Sequence, residues 1–248
     1  MPRFRLLPLA ALLLPQLAGA SDHVFTPSAT ESSTLTFEAA SGTRDAGAFG
    51  GRGTEGLAQA EFAPLPGWTV DLRGGVLDDR AGGDSVFGYG AELRYAGLPS
   101  GLAAGLGYRY DYEGVSVPFT RLGWSQQDAA WPLAVSAVVE MPQAAWRDRA
   151  DVIVTAAQAV PCFAALRCAM EIAGEDLEGL FEQDEAEGGA KFVLGPTLAW
   201  RGADGEGLRL FAGWIHAATA NDPGRPGYTD YRGSRDGLML RLAAGFGM

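Results

Sequence analysis

Three observations predict an all-β fold, an antiparallel up-and-down transmembrane β-barrel of about twelve strands. Apolar residues alternate along short segments, most strictly at the C-terminus, where Leu238, Leu240, Leu242, Ala244, Phe246 and Met248 share one strand face. Clusters of Gly, Pro, Asp and Ser separate these segments, and the connections alternate between short and long. No stretch after the leader holds the eighteen or so uninterrupted apolar residues that a membrane-spanning helix needs.

The elements follow in order. Residues 1–20 read as a secretory signal peptide, with Arg3 and Arg5, an apolar run from Leu6 to Leu14, and the small residues Ala18-Gly19-Ala20 before Ser21. Residues 21–33 form an N-terminal tail, and 34–248 form a single barrel domain. The period-two pattern places strands at Thr34 to Ala40, Gly56 to Ala63, Trp68 to Leu77, Val86 to Ala96, Leu102 to Tyr112 and Val115 to Ser125. It places further strands at Trp131 to Glu140, Asp151 to Val160, Leu166 to Ala173, Ala190 to Trp200, Leu208 to Ala218 and Gly237 to Met248. Two segments fit less cleanly. Around Pro118 the apolar positions change from odd (Val115, Val117, Phe119) to even (Leu122, Trp124), the mark of a bulge or a shifted boundary, and Val152, Ile153 and Val154 do not alternate. Ten strands is therefore the alternative count.

Aromatic residues give an independent check, because Trp and Tyr favour the headgroup level of a bilayer. Phe62, Trp68, Tyr95, Trp124, Trp131, Trp200 and Phe246 fall at the short-turn ends of their strands. Phe87, Tyr89, Tyr110 and Tyr112 fall nearer the long-loop ends, which makes two girdles. Signal peptide, paired girdles, loop asymmetry and a terminal strand with Phe246 near its end together resemble the bacterial outer-membrane β-barrel proteins, over nearly all of the mature chain. The resemblance implies the outer membrane of a Gram-negative bacterium, both termini in the periplasm, contact with outer-membrane lipid and lipopolysaccharide, and recognition by the barrel-insertion machinery. Many members end on an aromatic residue, whereas this chain ends on Met248.

Alternation sends Glu38, Asp71, Glu92, Asp111, Glu140 and Glu171 into the lumen, with Glu61. It sends Arg73, Arg94, Arg109, Lys191, Arg209 and Arg241 there too, with Arg121 and Arg167, so the lumen is nearly neutral. The formal net charge of −11 becomes more negative once the leader's arginines are removed and argues against nucleic acid as a partner; with the lumen nearly neutral, it belongs to loops, turns and the N-terminal tail. The lumen charges either interlock as a polar core or line a narrow channel for small polar solutes. Inward Gly88, Gly90, Gly105, Gly107, Gly195 and Gly213 reduce side-chain volume and favour the channel. The alternative is a non-conducting structural or surface-binding barrel.

Other candidate sites lie in connections. Cys162 and Cys168, six apart in an exported chain, are expected to form a disulfide; a metal role lacks a nearby histidine. The loop from Gly174 to Gly189 carries Glu182, Asp184, Glu185 and Glu187 among further acids and no base, a place for a divalent cation though without EF-hand spacing. Its Leu177, Leu180 and Phe181 share a helical face and offer a second reading, an inward-folded constriction. The last long loop offers Arg225, Tyr228, Tyr231 and Arg232 to sugar rings or acidic groups. No catalytic residues and no cofactor are expected. Outer-membrane lipid hydrolases use a His-x-Ser pair on the outer wall, and here His216 is followed two residues on by Ala218.

Overall fold

The computed structural model describes residues 34–42, 54–78, 85–112, 114–126, 132–145, 150–163, 166–175, 191–201, 207–217 and 236–247. The expected signal peptide and N-terminal tail fall on residues 1–33, which lie outside the described residues. Twelve antiparallel strands close into one barrel: β1 (Thr34–Gly42), β2 (Thr54–Leu65), β3 (Trp68–Asp78), β4 (Ser85–Tyr95), β5 (Leu102–Tyr110), β6 (Ser116–Gln126), β7 (Leu133–Glu140), β8 (Asp151–Val160), β9 (Leu166–Glu175), β10 (Lys191–Arg201), β11 (Gly207–Ala217) and β12 (Asp236–Gly247). Each pairs with its neighbours in sequence, and β1 pairs with β12 from Thr34↔Gly247 to Gly42↔Met239. Closure leaves no open sheet edge, so the strands pair their backbone polar groups with one another, as a bilayer requires.

Strand length follows the same constraint. The strands run from 8 residues in β7 to 12 in β2 and β12, bracketing the roughly 9 to 11 tilted residues that cross a hydrocarbon core. Their outward positions carry Leu72, Val76, Leu93, Leu106, Leu122, Ile172, Leu198 and Leu240, large apolar side chains left exposed. In water such a band would be an aggregation surface; against lipid tails it is the matching solvent. Rings border the band at both ends. Trp68 and Tyr95 pack 4.8 Å apart, and Phe37 meets Phe246, at the short-turn end; Tyr89 stacks on Tyr110 at 5.4 Å toward the long-loop end. The barrel is a transmembrane one.

The turns explain the hairpins. Between β2 and β3 the chain reverses through Pro66-Gly67, where Pro fixes the first dihedral and Gly67 takes φ +77°, the pairing a type II turn demands. A register shift between Phe62 and Leu65 accompanies this turn.

The two irregular segments are ordinary strands. β6 pairs with β5 in unbroken register from Leu102↔Trp124 to Tyr110↔Ser116, without a bulge at Pro118. Val115, Val117 and Phe119 are apolar on the inward face, whereas Leu122 is exposed to the outside. Likewise Ile153 points inward beside Phe119 and Val138, between outward Val152 and Val154. The apparent change of parity comes from an interior that is apolar in places.

Candidate functional site in the barrel interior

The inward face carries a layered charge pattern on its β2 to β7 side. Glu61, Asp71 and Glu92 occupy one register row of β2, β3 and β4, and the row runs on through Gly107 and Phe119 to Glu140 and Asp151. One inward step toward the long loops, Arg73 and Arg109 share a row through Gly90. One step toward the short turns, Arg94 and Arg121 share a row through Gly105. A line of carboxylates is thus flanked by arginines on both sides.

The pairs that form reach over intervening strands. Arg121 of β6 donates from Nε to Glu92 Oε1 of β4 at 2.8 Å, passing over Gly105 of β5. A Cβ at Gly105 would lie 2.5 Å from that Glu92 oxygen, so glycine there is the condition for the contact. Arg109 of β5 reaches Glu140 of β7 at 2.6 Å, and Arg94 of β4 reaches Glu61 of β2. Asp71 gathers Gln59 Nε2 at 2.9 Å and Arg73 Nη2 at 2.7 Å, with the Arg94 guanidinium 3.7 Å away. Arg73 lies 3.8 Å from Glu92 and so links the two groups into one belt.

The opposite side is largely apolar. Ala173, Val193, Phe211, Ile215 and Met239 cluster on β9 to β12, while Glu171 and Arg241 are buried among the inward residues of these strands. Arg167 and Arg209 are half-buried nearer the short-turn end. Asp71 on β3, Val117 on β6 and Ile215 on β11 are each 0% exposed, so water is excluded from these three parts of the circumference. Five of the inward glycines, Gly90, Gly105, Gly107, Gly195 and Gly213, do not leave open space. A Cβ at Gly107 would collide with the Phe119 ring and one at Gly213 with the Phe211 ring, so neighbouring aromatics occupy the volume that glycine vacates. At Gly195 a Cβ would strike the β11 backbone.

The sequence-derived site residues separate accordingly. Asp71, Arg73, Glu92, Arg94, Arg109, Glu140, Glu171, Arg209 and Arg241 are on the inward face. Asp111 serves the tight β5–β6 connection: its Oδ1 accepts from Val115 N at 2.8 Å, and its backbone N–H donates to Val115 O at 3.0 Å. Glu38 and Lys191 fall on β1 and β10, but their side chains lie outside the described residues, as do Arg225, Tyr228, Tyr231, Arg232, Glu182, Asp184, Glu185 and Glu187. Cys162 and Cys168 form a disulfide across the β8–β9 turn, with Cα atoms 5.6 Å apart.

Two participants escape sequence reasoning. Alternation leaves Glu55 in a loop, but β2 begins at Thr54 and buries it at 1% exposure. Tyr112, expected in the outer girdle, turns inward to pack on Leu57 and Leu77 and donates its hydroxyl to Glu55 Oε1 at 2.6 Å. The parity of Leu57 and Gln59 with Glu61 is the signal that extends β2 to Glu55.

No family model and no curated protein matches this chain. Among solved structures it is similar to a chain from work on in-meso crystallization of membrane proteins, at 12% identity and a TM-score of 0.48, covering 87% of this chain and 84% of that one. It is also similar to the Pseudomonas aeruginosa outer-membrane protein OprD, at 12% identity and 0.39, covering 88% and 67%. A third is a bacterial polysaccharide outer membrane secretin, at 10% identity and 0.44, covering 87% and 98%.

Proposed function

We propose that this protein resides in the outer membrane of a Gram-negative cell and provides a narrow route for small polar solutes, held shut at mid-height in the conformation described. The belt of Arg121, Glu92, Arg73, Asp71, Arg94 and Glu61 carries this reading. Burying ion pairs costs desolvation that apolar packing of similar volume would avoid, so a barrel needing only to be filled gains nothing from them. Ionisable groups at membrane depth instead mark solute and ion paths. A path beside the belt would offer both signs of charge to a small polar solute.

A permanently closed envelope barrel is the second reading, and the complete burial of Asp71, Val117 and Ile215 favours it. Single-channel recording in planar bilayers separates the two. The channel reading expects small discrete steps, more frequent when Glu92→Gln loosens the belt. Silence of both proteins, with no solute uptake by liposomes, assigns the barrel to the second reading.

A further inference from the structure

The outer wall carries a polar cluster that the interior does not explain. His216 closes the outward series Leu208, Leu210, Ala212 and Trp214 on β11, and Asp236 opens β12 opposite it. Both stand at the long-loop end, beyond the apolar band. His216 Nδ1 meets Asp236 Oδ1 at 2.9 Å, and Trp214 Nε1 donates to the same oxygen at 3.0 Å. The imidazole lies 5.7 Å from the Trp214 ring, which in turn meets Phe192 of β10 edge-on at 5.9 Å.

From this arrangement the geometry points to a binding site for a lipid phosphate, with the His216 ring as the ligand-holding group. A carboxylate on Nδ1 fixes the orientation of the ring and turns Nε2 away from Asp236. Among the described residues Nε2 has no partner, and the side chain is 31% exposed. In the doubly protonated ring Nε2 carries an N–H, which on this lipid-facing wall meets the headgroup layer. The anionic group available in that layer is phosphate, a strong acceptor for a charged donor. Trp214 and Phe192 supply the ring shelf that settles at the boundary between headgroup and acyl chain. Asp236 also sets polarity: the same imidazole without it would be an ordinary interfacial histidine.

The chain has only two histidines, so a His23→Gln variant carries one observable imidazole. In phospholipid vesicles, solid-state NMR of this variant is expected to show ³¹P dephasing of the His216 Nε2 signal. Dephasing should be lost in Asp236→Asn and retained in the ring-conserving Trp214→Phe, with heat-modifiable gel mobility confirming that each variant is folded. Inorganic phosphate added to phosphate-free maltoside micelles should give none. Absence of dephasing in vesicles, its persistence in folded Asp236→Asn, or equal dephasing with inorganic phosphate would each overturn the lipid assignment.

Discussion

Replacing Glu92 by Gln measures how dry the barrel interior is. Glu92 is the partner of Arg121 at 2.8 Å and has Arg73 at 3.8 Å, and the side chains of Glu92 and Arg121 are 2% and 3% exposed. Neutralising it leaves a buried guanidinium short of its counter-charge. Removing one partner of a buried pair costs roughly 3 to 5 kcal/mol, whereas a pair bathed in water is worth at most about 1 kcal/mol. The expected loss is therefore in the upper range. A double-mutant cycle with Arg121→Gln isolates the pair, and the double variant should recover some of the loss because it removes both charges of the pair. Urea unfolding of the micelle-reconstituted protein, followed by tryptophan fluorescence, reads both quantities. A Glu92→Gln loss below about 1 kcal/mol, with no coupling to Arg121, would show hydrated charges and refute the closed interior argued from burial.

Two further outcomes follow from packing and cross-linking. Gly107→Ala should destabilise the barrel by about 1 to 3 kcal/mol, the cost of overpacking against the Phe119 ring, and Phe119→Leu in the same chain should restore much of it in the same urea assay. Reducing Cys162–Cys168, which closes a loop with a sequence separation of 6, should lower stability by about 2 kcal/mol, visible as a shift in urea midpoint with dithiothreitol; an unchanged midpoint would mean that the hairpin hydrogen bonds alone hold the turn.

The wall of the barrel is legible in the sequence and its contents much less so. Strands such as β3, β11 and β12 advertise themselves because lipid demands apolar side chains on one face, and that demand acts residue by residue along the chain. The inner face answers to a different requirement, mutual fit across strands, which has no fixed period. Val115, Val117 and Phe119 therefore look like a break in β6 although they belong to the interior. Glycine is the other source of error. Alone, Gly105 and Gly107 read as vacant lumen; in the barrel Gly105 is the clearance for Glu92 and Arg94 of β4, and Gly107 for the Phe119 ring of β6. Such matches depend on register between strands that are far apart in sequence, as where Tyr112 turns in to meet Glu55, 57 positions away.

The strand-skipping contacts also bear on how the barrel is assembled. Arg241 of β12 lies 3.8 Å from Glu55 of β2, with β1 between them. Contacts among β2, β4, β5, β6 and β7 can form in an open, curved sheet, since those strands are already neighbours or near-neighbours along the chain. The Arg241–Glu55 contact joins opposite ends of the polypeptide and exists only after the final strand has docked on the first. It works as a latch across the seam: a sheet that has not yet closed lacks it, and one trying to reopen must first pull apart opposite charges that are screened from water.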